Sequence, residues 1–251
     1  MNSIAIGLIT FAFGFGAALL GMWIRSALPE GHMSSESKDA VKVAMALVST
    51  MCAIVLGLLI ASAKSSYDTQ NNELTDMSSK LILLDRVLAH YGPESKEARE
   101  ELRITAVKAL DYMWAKDPSD HSQVGPGSTS SEILYDKIQA LSPKDDAQRF
   151  IQSQALSIVF ALGQTRWLMY EQKAGSGSIP LLMVLIFWLT ALFISFGLFA
   201  PRNATVYATL LVSALSVSFA IFLILELYTP YVGVIRISNT TLRTALAHLG
   251  Q

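Results

Sequence analysis

The stretch GLLIASAKSSYDTQNNELTD, Gly57 to Asp76, starts as apolar sequence suited to lipid and turns without a break into polar, charged sequence. After Gly57 no Gly or Pro occurs until Gly92, so nothing written here stops a helix at a membrane surface. A helix of this kind must satisfy hydrocarbon with one half and water with the other. The fold follows from how its faces are divided between them.

The surrounding composition supplies the membrane. Of 251 residues 52% are hydrophobic and 16% charged, too apolar for a soluble domain of this size. Four runs reach the roughly 20 residues that cross a bilayer: Ile4 to Ile24, Val41 to Ala63, Ile179 to Leu198 and Val206 to Leu227. No Lys or Arg precedes the first run and Arg25 follows it, so it is expected to be mature structure and not a cleaved signal. Cys52, the single cysteine, lies inside the second run, which rules out an intramolecular disulfide.

Charge is concentrated between the second and third runs. There, from Lys64 to Ser178, lie 13 of the 19 Lys and Arg and 16 of the 20 Asp and Glu. The chain therefore divides into spans one and two (1–63), a water-exposed domain (64–178, with 64–91 continuing span two), spans three and four (179–227) and a C-terminal tail (228–251). With four spans, both termini and the inserted domain share one side. Near the span ends that side carries Lys64, Lys80, Arg166, Lys173, Arg236 and Arg243, against Arg25, Lys38, Lys42 and Arg202 on the other. The positive-inside rule places the larger group, and with it both termini, in the cytoplasm, although span one alone points the other way.

The inserted domain reads as helical. Span two is expected to continue as one rod from about Val41 to Tyr91, roughly 75 Å at 1.5 Å per residue, and to end at Gly92 and Pro93. A second helix is expected from about Glu94 to Ala115, loop over Asp117 to Ser131, a short helix over Glu132 to Ala140, and a long one opened by Ser142 and Pro143 and running to about Lys173.

The long helix has two faces. Alternating steps of three and four from Tyr67 give Tyr67, Gln70, Leu74, Met77, Leu81, Leu84, Leu88 and Tyr91, a heptad seam interrupted at Gln70 that must be buried. On roughly the opposite side helical spacing from Ala46 gives Thr50, Ala53, Gly57 and Ala61 in the membrane. The same line continues outside it through Lys64, Asp68, Asn72, Thr75, Ser79, Ile82 and Arg86, with Ser65 beside it. Ala53, Gly57 and Ala61 fit a small-xxx-small packing ridge. They also fit the wall of a central water-filled path surrounded by several copies of the helix. Continuity favours the path, because a packing ridge has no need to become a wet stripe at the membrane boundary.

Over nearly its whole length the chain resembles the bestrophin-like family of bacterial membrane proteins. The motifs that carry the resemblance are LGLLIASAKSSYDTQNNEL with LDRVLAHYGPE, then QTRWLMYEQ, FWLTALFISFGLFAPRNATV and LYTPYVGVIRISNTTLRTALAHLG. Similarity to bestrophins proper is confined to SSYD, Ser65 to Asp68, and to Glu226 to Pro230. The resemblance implies an all-α protein with four spans and a helical cytosolic domain, assembled as a homo-oligomer, a pentamer, in the lipid bilayer. It further implies a channel for inorganic ions whose pore is lined by the second helix. Two departures stand out. Ala53, Gly57 and Ala61 occupy the level of the bestrophins' bulky apolar neck, and Thr69, Gln70 and Asn71 replace the aromatic residues after their Tyr-Asp element. The resemblance therefore implies neither a hydrophobic gate at that level nor a particular ion selectivity.

Other chemistry is thinner. Glu226, near the end of span four, is a candidate intramembrane polar site or an interfacial residue. Lys64 and Asp68, one turn apart, make an i,i+4 ion pair or charged rings at a pore mouth. Ser35 to Lys38 fits S-x-x-K without the partner motifs of a penicillin-binding enzyme, and reads as a helix start capped by Ser34 or Ser35. His32, His90, His121 and His248 have no metal-ligand spacing, and the GPGST stretch lacks the lysine of a phosphate-binding loop. The Asn203 and Asn239 sequons carry little weight in a chain of bacterial character. No enzymatic activity, cofactor, metal or nucleic-acid partner is expected. The competing reading is a non-conducting membrane scaffold or sensor whose cytosolic helices bind a partner.

Overall fold

The computed structural model describes residues 3–27, 35–114, 129–174 and 179–250. Among these the chain is helical, without a strand: α1 Ser3–Ala27, α2 Ser35–Tyr91, α3 Lys96–Met113, α4 Thr129–Gln139, α5 Asp146–Ala174, α6 Ile179–Phe199, α7 Ala204–Leu227 and α8 Thr240–His248, with a short 3-10 turn at Pro93–Ser95. Four of these, α1, α2, α6 and α7, are long and apolar enough to cross a membrane. His32, Ser34, His121 and the expected loop from Asp117 as far as Ser128, with most of GPGST in it, lie outside the described residues, as do the side chains of Ser35 and Lys173.

The chain forms two compact units: Met1–Tyr67 with Gly177–Thr229, and Asp68–Ser176 with Pro230–Gln251. In the first, α1 packs on α6 and α7. Lipid is as apolar as a leucine side chain, so these helices gain little by hiding apolar surface and associate by close approach instead. Gly21 and Gly197 provide it: a Cβ built on Gly21 would sit 2.1 Å from the Ile194 carbonyl oxygen, and one on Gly197 1.9 Å from that of Ala18. Around this crossing Ala17, Ala18, Met22, Phe193, Leu210 and Ala214 form the core. Arg25 donates to the carbonyl of Ala200 just past the end of α6, where a cation suits the negative end of the helix dipole. Arg202 donates to the carbonyl of Met22 at 2.7 Å. Asn203 caps α7, its Oδ1 accepting from Val206 N at 2.9 Å.

The second unit is built on the C-terminal part of α2. Gln70, Leu74, Met77, Leu81, Leu84, Leu88 and Tyr91 are all buried, as the heptad seam requires, with Tyr67 half-buried. Leu102 of α3, Ile138 of α4 and Ala155 of α5 are buried in the same unit. α2 ends at Gly92, whose φ of 120° suits a residue without a Cβ. Its last carbonyls are taken by side chains: Ser95 Oγ donates to Leu88 O at 2.5 Å and Gln148 Nε2 to Tyr91 O at 2.9 Å. The short helix begins at Thr129 and not at Glu132, so Thr129 to Ser131 are helix rather than the expected loop. The long helix starts at Asp146, beyond the expected Ser142–Pro143 opening. The reason is a better cap, since Asp145 Oδ1 accepts from Gln148 N at 2.7 Å while Gln148 Oε1 accepts from Lys144 N at 2.8 Å.

Candidate functional site

Helix α2 runs unbroken for 57 residues, which lets one sequence periodicity persist from the apolar span into the polar domain. Thr50, Ala53, Gly57, Ala61, Lys64 and Ser65 are exposed in the first unit, and Asn72, Thr75, Ser79 and Arg86 in the second, while Asp68 and Ile82 are half-buried. A Cβ added at Gly57 would meet nothing within 4 Å. The stripe therefore does not serve as a packing ridge for the rest of its own unit.

Its chemistry is that of a mild polar surface. Thr50, Thr75 and Ser79 each donate to the carbonyl one turn back, of Ala46, Asn71 and Thr75, at 2.9–3.0 Å. That commits their hydroxyl hydrogens to the helix and leaves oxygen acceptors on the exposed side. Lys64 Nζ lies 5.6 Å from the centroid of the Tyr67 ring, within cation–π reach. Ser62, one residue off the stripe, accepts from Tyr228 OH at 3.3 Å. Among the described residues no three His, Cys, Asp or Glu are placed to hold a metal ion.

Glu226 is a buried side chain. It is 1% exposed in the last turn of α7, which closes with Tyr228 N donating to Ile224 O at 3.2 Å and Thr229 N to Glu226 O at 3.0 Å. The helix ends at Leu227, the expected span boundary, and protein packs against the side chain of Glu226.

A second buried carboxylate went unnoticed in the sequence. Asp85, 1% exposed, takes a two-pronged bond from Arg99 at 2.7 and 2.8 Å and a third from Gly250 N at 3.2 Å. The bond to Asp85 pushes the Arg99 guanidinium above its usual range. A signal was available: Asp85 follows Leu81 by four residues and precedes Leu88 by three, so it sits on the shoulder of an apolar seam. Trp114 similarly holds the C-terminal segment, donating from Nε1 to Ile237 O at 3.1 Å and meeting Tyr231 edge-on at 5.6 Å between ring centroids. Burial, and then the nearby Glu73, push the Tyr231 hydroxyl well above the usual tyrosine range. These contacts secure the domain and form no reactive pair.

A four-span α-helical membrane protein with a helical domain between its second and third spans is the class these features define. The chain belongs to the bestrophin-like family, whose domain model matches residues 12–242. Its structure is similar to those of two variants of a bacterial bestrophin homologue from Klebsiella pneumoniae. One is 13% identical with a TM-score of 0.68, covering 98% of this chain and 99% of the other. The second is 14% identical with a TM-score of 0.67 and the same coverage. A structure described as a membrane protein matches at 13% identity and a TM-score of 0.66, over 97% of this chain and 96% of that one. At such identities the likeness is one of fold. No curated protein is significantly similar in sequence.

Proposed function

We propose that this chain forms a homo-oligomeric ion channel, a pentamer, in a bacterial cell membrane, passing small inorganic ions through a central path lined by α2. Thr50, Ala53, Gly57 and Ala61 line the membrane section. Lys64, Ser65 and Asp68 form the mouth, and Asn72, Thr75, Ser79 and Arg86 the vestibule wall. Both termini and the domain between spans two and three lie in the cytoplasm. The observation that carries this reading is the exposure of the small-residue stripe in the single chain, with open space beside Gly57. Membership of the bestrophin-like family supports it.

A wall of small groups and backbone is wider and wets more readily than a neck of large apolar side chains. Selectivity among ions of one sign is then weak, and the sign is set by Lys64 and Asp68, whose charges act together when repeated around a ring. The test is purified protein in planar bilayers under asymmetric salt. Lys64→Glu shifts the reversal potential towards cations, Asp68→Lys towards anions, and Gly57→Phe reduces or abolishes the current. Currents indifferent to all three substitutions would remove the stripe from the pore. Sidedness is checked by Glu97→Cys in a Cys52→Ser background, which an impermeant thiol reagent should not label in intact cells.

A scaffold reading shares one observation with the channel. The exposed face of α5 carries Phe150, Phe160, Trp167 and Leu168 between Ser and Gln residues, with Phe150 71% and Phe160 74% exposed. A water-facing helix does not keep such a face without a protein to cover it. In a channel the covering protein is a neighbouring subunit; in a scaffold it is another partner, and reconstituted protein carries no current.

A further inference from the structure

Followed the other way from Gly57, the exposed line of α2 reaches a second set of charges. Thr50 and Ala46 continue it, and Asp39 lies 18 residues before Gly57, about five turns at 3.6 residues per turn and so on the same side of the helix. Asp39 is exposed. Between Lys42 and Lys64 the helix carries no charged residue over 21 positions, roughly 32 Å at 1.5 Å per residue, which matches the roughly 30 Å of hydrocarbon in a bilayer. Asp39 and Lys42 therefore stand at one end of the apolar section as Lys64 and Asp68 stand at the other.

The two far charges are not equivalent. Lys42 Nζ donates to Asp39 Oδ1 at 3.0 Å, and both side chains are exposed. Three residues turn a helix through about 300°, so Lys42 sits about 60° off the line that Asp39 occupies. By the same spacing Glu36 and Lys38, the neighbouring charges of this end, fall to opposite sides of the line. The pair is neutral as a whole, yet the group on the line is the carboxylate and the ammonium stands to one side. An exposed i,i+3 pair contributes little to stability, so either charge can be removed without unfolding the helix.

We propose that Asp39 is an ion-selecting residue at the entrance remote from the helical domain. Its carboxylate, repeated around the assembly, draws cations to that entrance, and Lys42 holds it beside the path. This rests on the α2-lined channel proposed above. Such a ring acts through its field, which extends about 10 Å at 0.1 M salt and about 3 Å at 1 M, so it is screened by the solution on its own side.

The experiment measures the cation-to-anion permeability ratio of the full-length protein in planar bilayers. Reversal potentials are taken in KCl with about 0.05 M on one side and about 0.5 M on the other, and with the gradient reversed. Asp39→Asn should lower the ratio about threefold when the dilute solution bathes its entrance, and leave it nearly unchanged when the concentrated one does. Lys42→Gln should raise the ratio under the first gradient, and Asp39→Glu should retain the wild-type value. Lys64→Glu, at the opposite mouth, should act most under the reverse gradient. Asp39→Cys in a Cys52→Ser background identifies the entrance, because an impermeant sulfonate-bearing thiol reagent restores the ratio from one chamber only. A shift with Lys64→Glu but none with Asp39→Asn, or an Asp39→Asn shift indifferent to the direction of the gradient, would overturn this entrance and leave the path standing. No shift with either variant, or no current at all, would remove the path and the entrance with it.

Discussion

Gly21 and Gly57 are both helical glycines inside apolar spans, and the structure uses them in opposite ways. At Gly21 a methyl group would collide with the backbone of α6, 2.1 Å from a carbonyl oxygen; at Gly57 it would meet nothing within 4 Å. The first belongs to a surface that the chain closes upon itself. The second belongs to a surface that the chain leaves open for something outside it. The same division runs along α2 in its second half, where the seam through Leu74, Leu84 and Leu88 is closed and the side bearing Asn72, Thr75 and Ser79 is open.

The sharpest way to break the comparison is to put side chains on the closed glycines. Gly197→Val places its Cβ 1.9 Å from the carbonyl oxygen of Ala18, backbone that cannot move aside without parting α1 from α6. Loss of folded protein is expected, read as absence of a monodisperse peak after detergent extraction. A well-behaved Gly197→Val protein would show that the crossing is loose and the contrast with Gly57 unreal.

Within α2 the expected effects are smaller and still one-sided. Leu88, fully buried, should cost about 2 to 5 kcal/mol when truncated to Ala, and Asn72→Ala on the open side less than about 0.5 kcal/mol. Thermal unfolding of the purified protein measures both, and equal losses would show that the faces are misassigned. Arg99→Ala follows at about 3 kcal/mol, since it strips a buried carboxylate of its charged partner, with the partial exposure of Arg99 holding the figure to the low end. Its companion Asp85→Asn keeps a hydrogen-bonding group in place and should cost less. The reverse order would mean that Arg99 contributes through packing and not through Asp85.

How much of this was legible depended on distance along the chain. The seam and its opposite stripe are local periodicities, and α2 follows them from Tyr67 to Tyr91. The opening of α5 is local too, but two plausible signals lay within four residues of each other, and the Asp145–Gln148 cap displaced Ser142 and Pro143 because it satisfies two backbone groups at once. The Asp85–Arg99–Gly250 cluster joins positions up to 165 residues apart. No periodicity reports such a meeting. Gly21 and Gly197 raise the same difficulty in the membrane, where close packing and open walls are both written in small residues. Burial at Glu226 was equally beyond reach, because a carboxylate one turn from a span boundary looks the same in sequence whether water or protein lies beside it.

The smallest predicted effect is the one whose sign matters most. Gly57→Ala adds a single methyl group to a helix interior that has open space beside it. Alanine is the better helix former by up to about 1 kcal/mol, because glycine has more backbone freedom to lose on folding. The variant should therefore unfold at the same temperature as the wild type or slightly higher, and retain its assembled mass. If copies of α2 instead pressed together through Ala53, Gly57 and Ala61, the methyl would have to be accommodated in every subunit, and both assembly and unfolding temperature would fall. Mass photometry and thermal unfolding of Gly57→Ala thus separate a wall facing water from a ridge facing protein before any current is recorded. A wall tolerates the methyl and conducts less, since the same group repeated around the ring narrows the path; a ridge loses the oligomer.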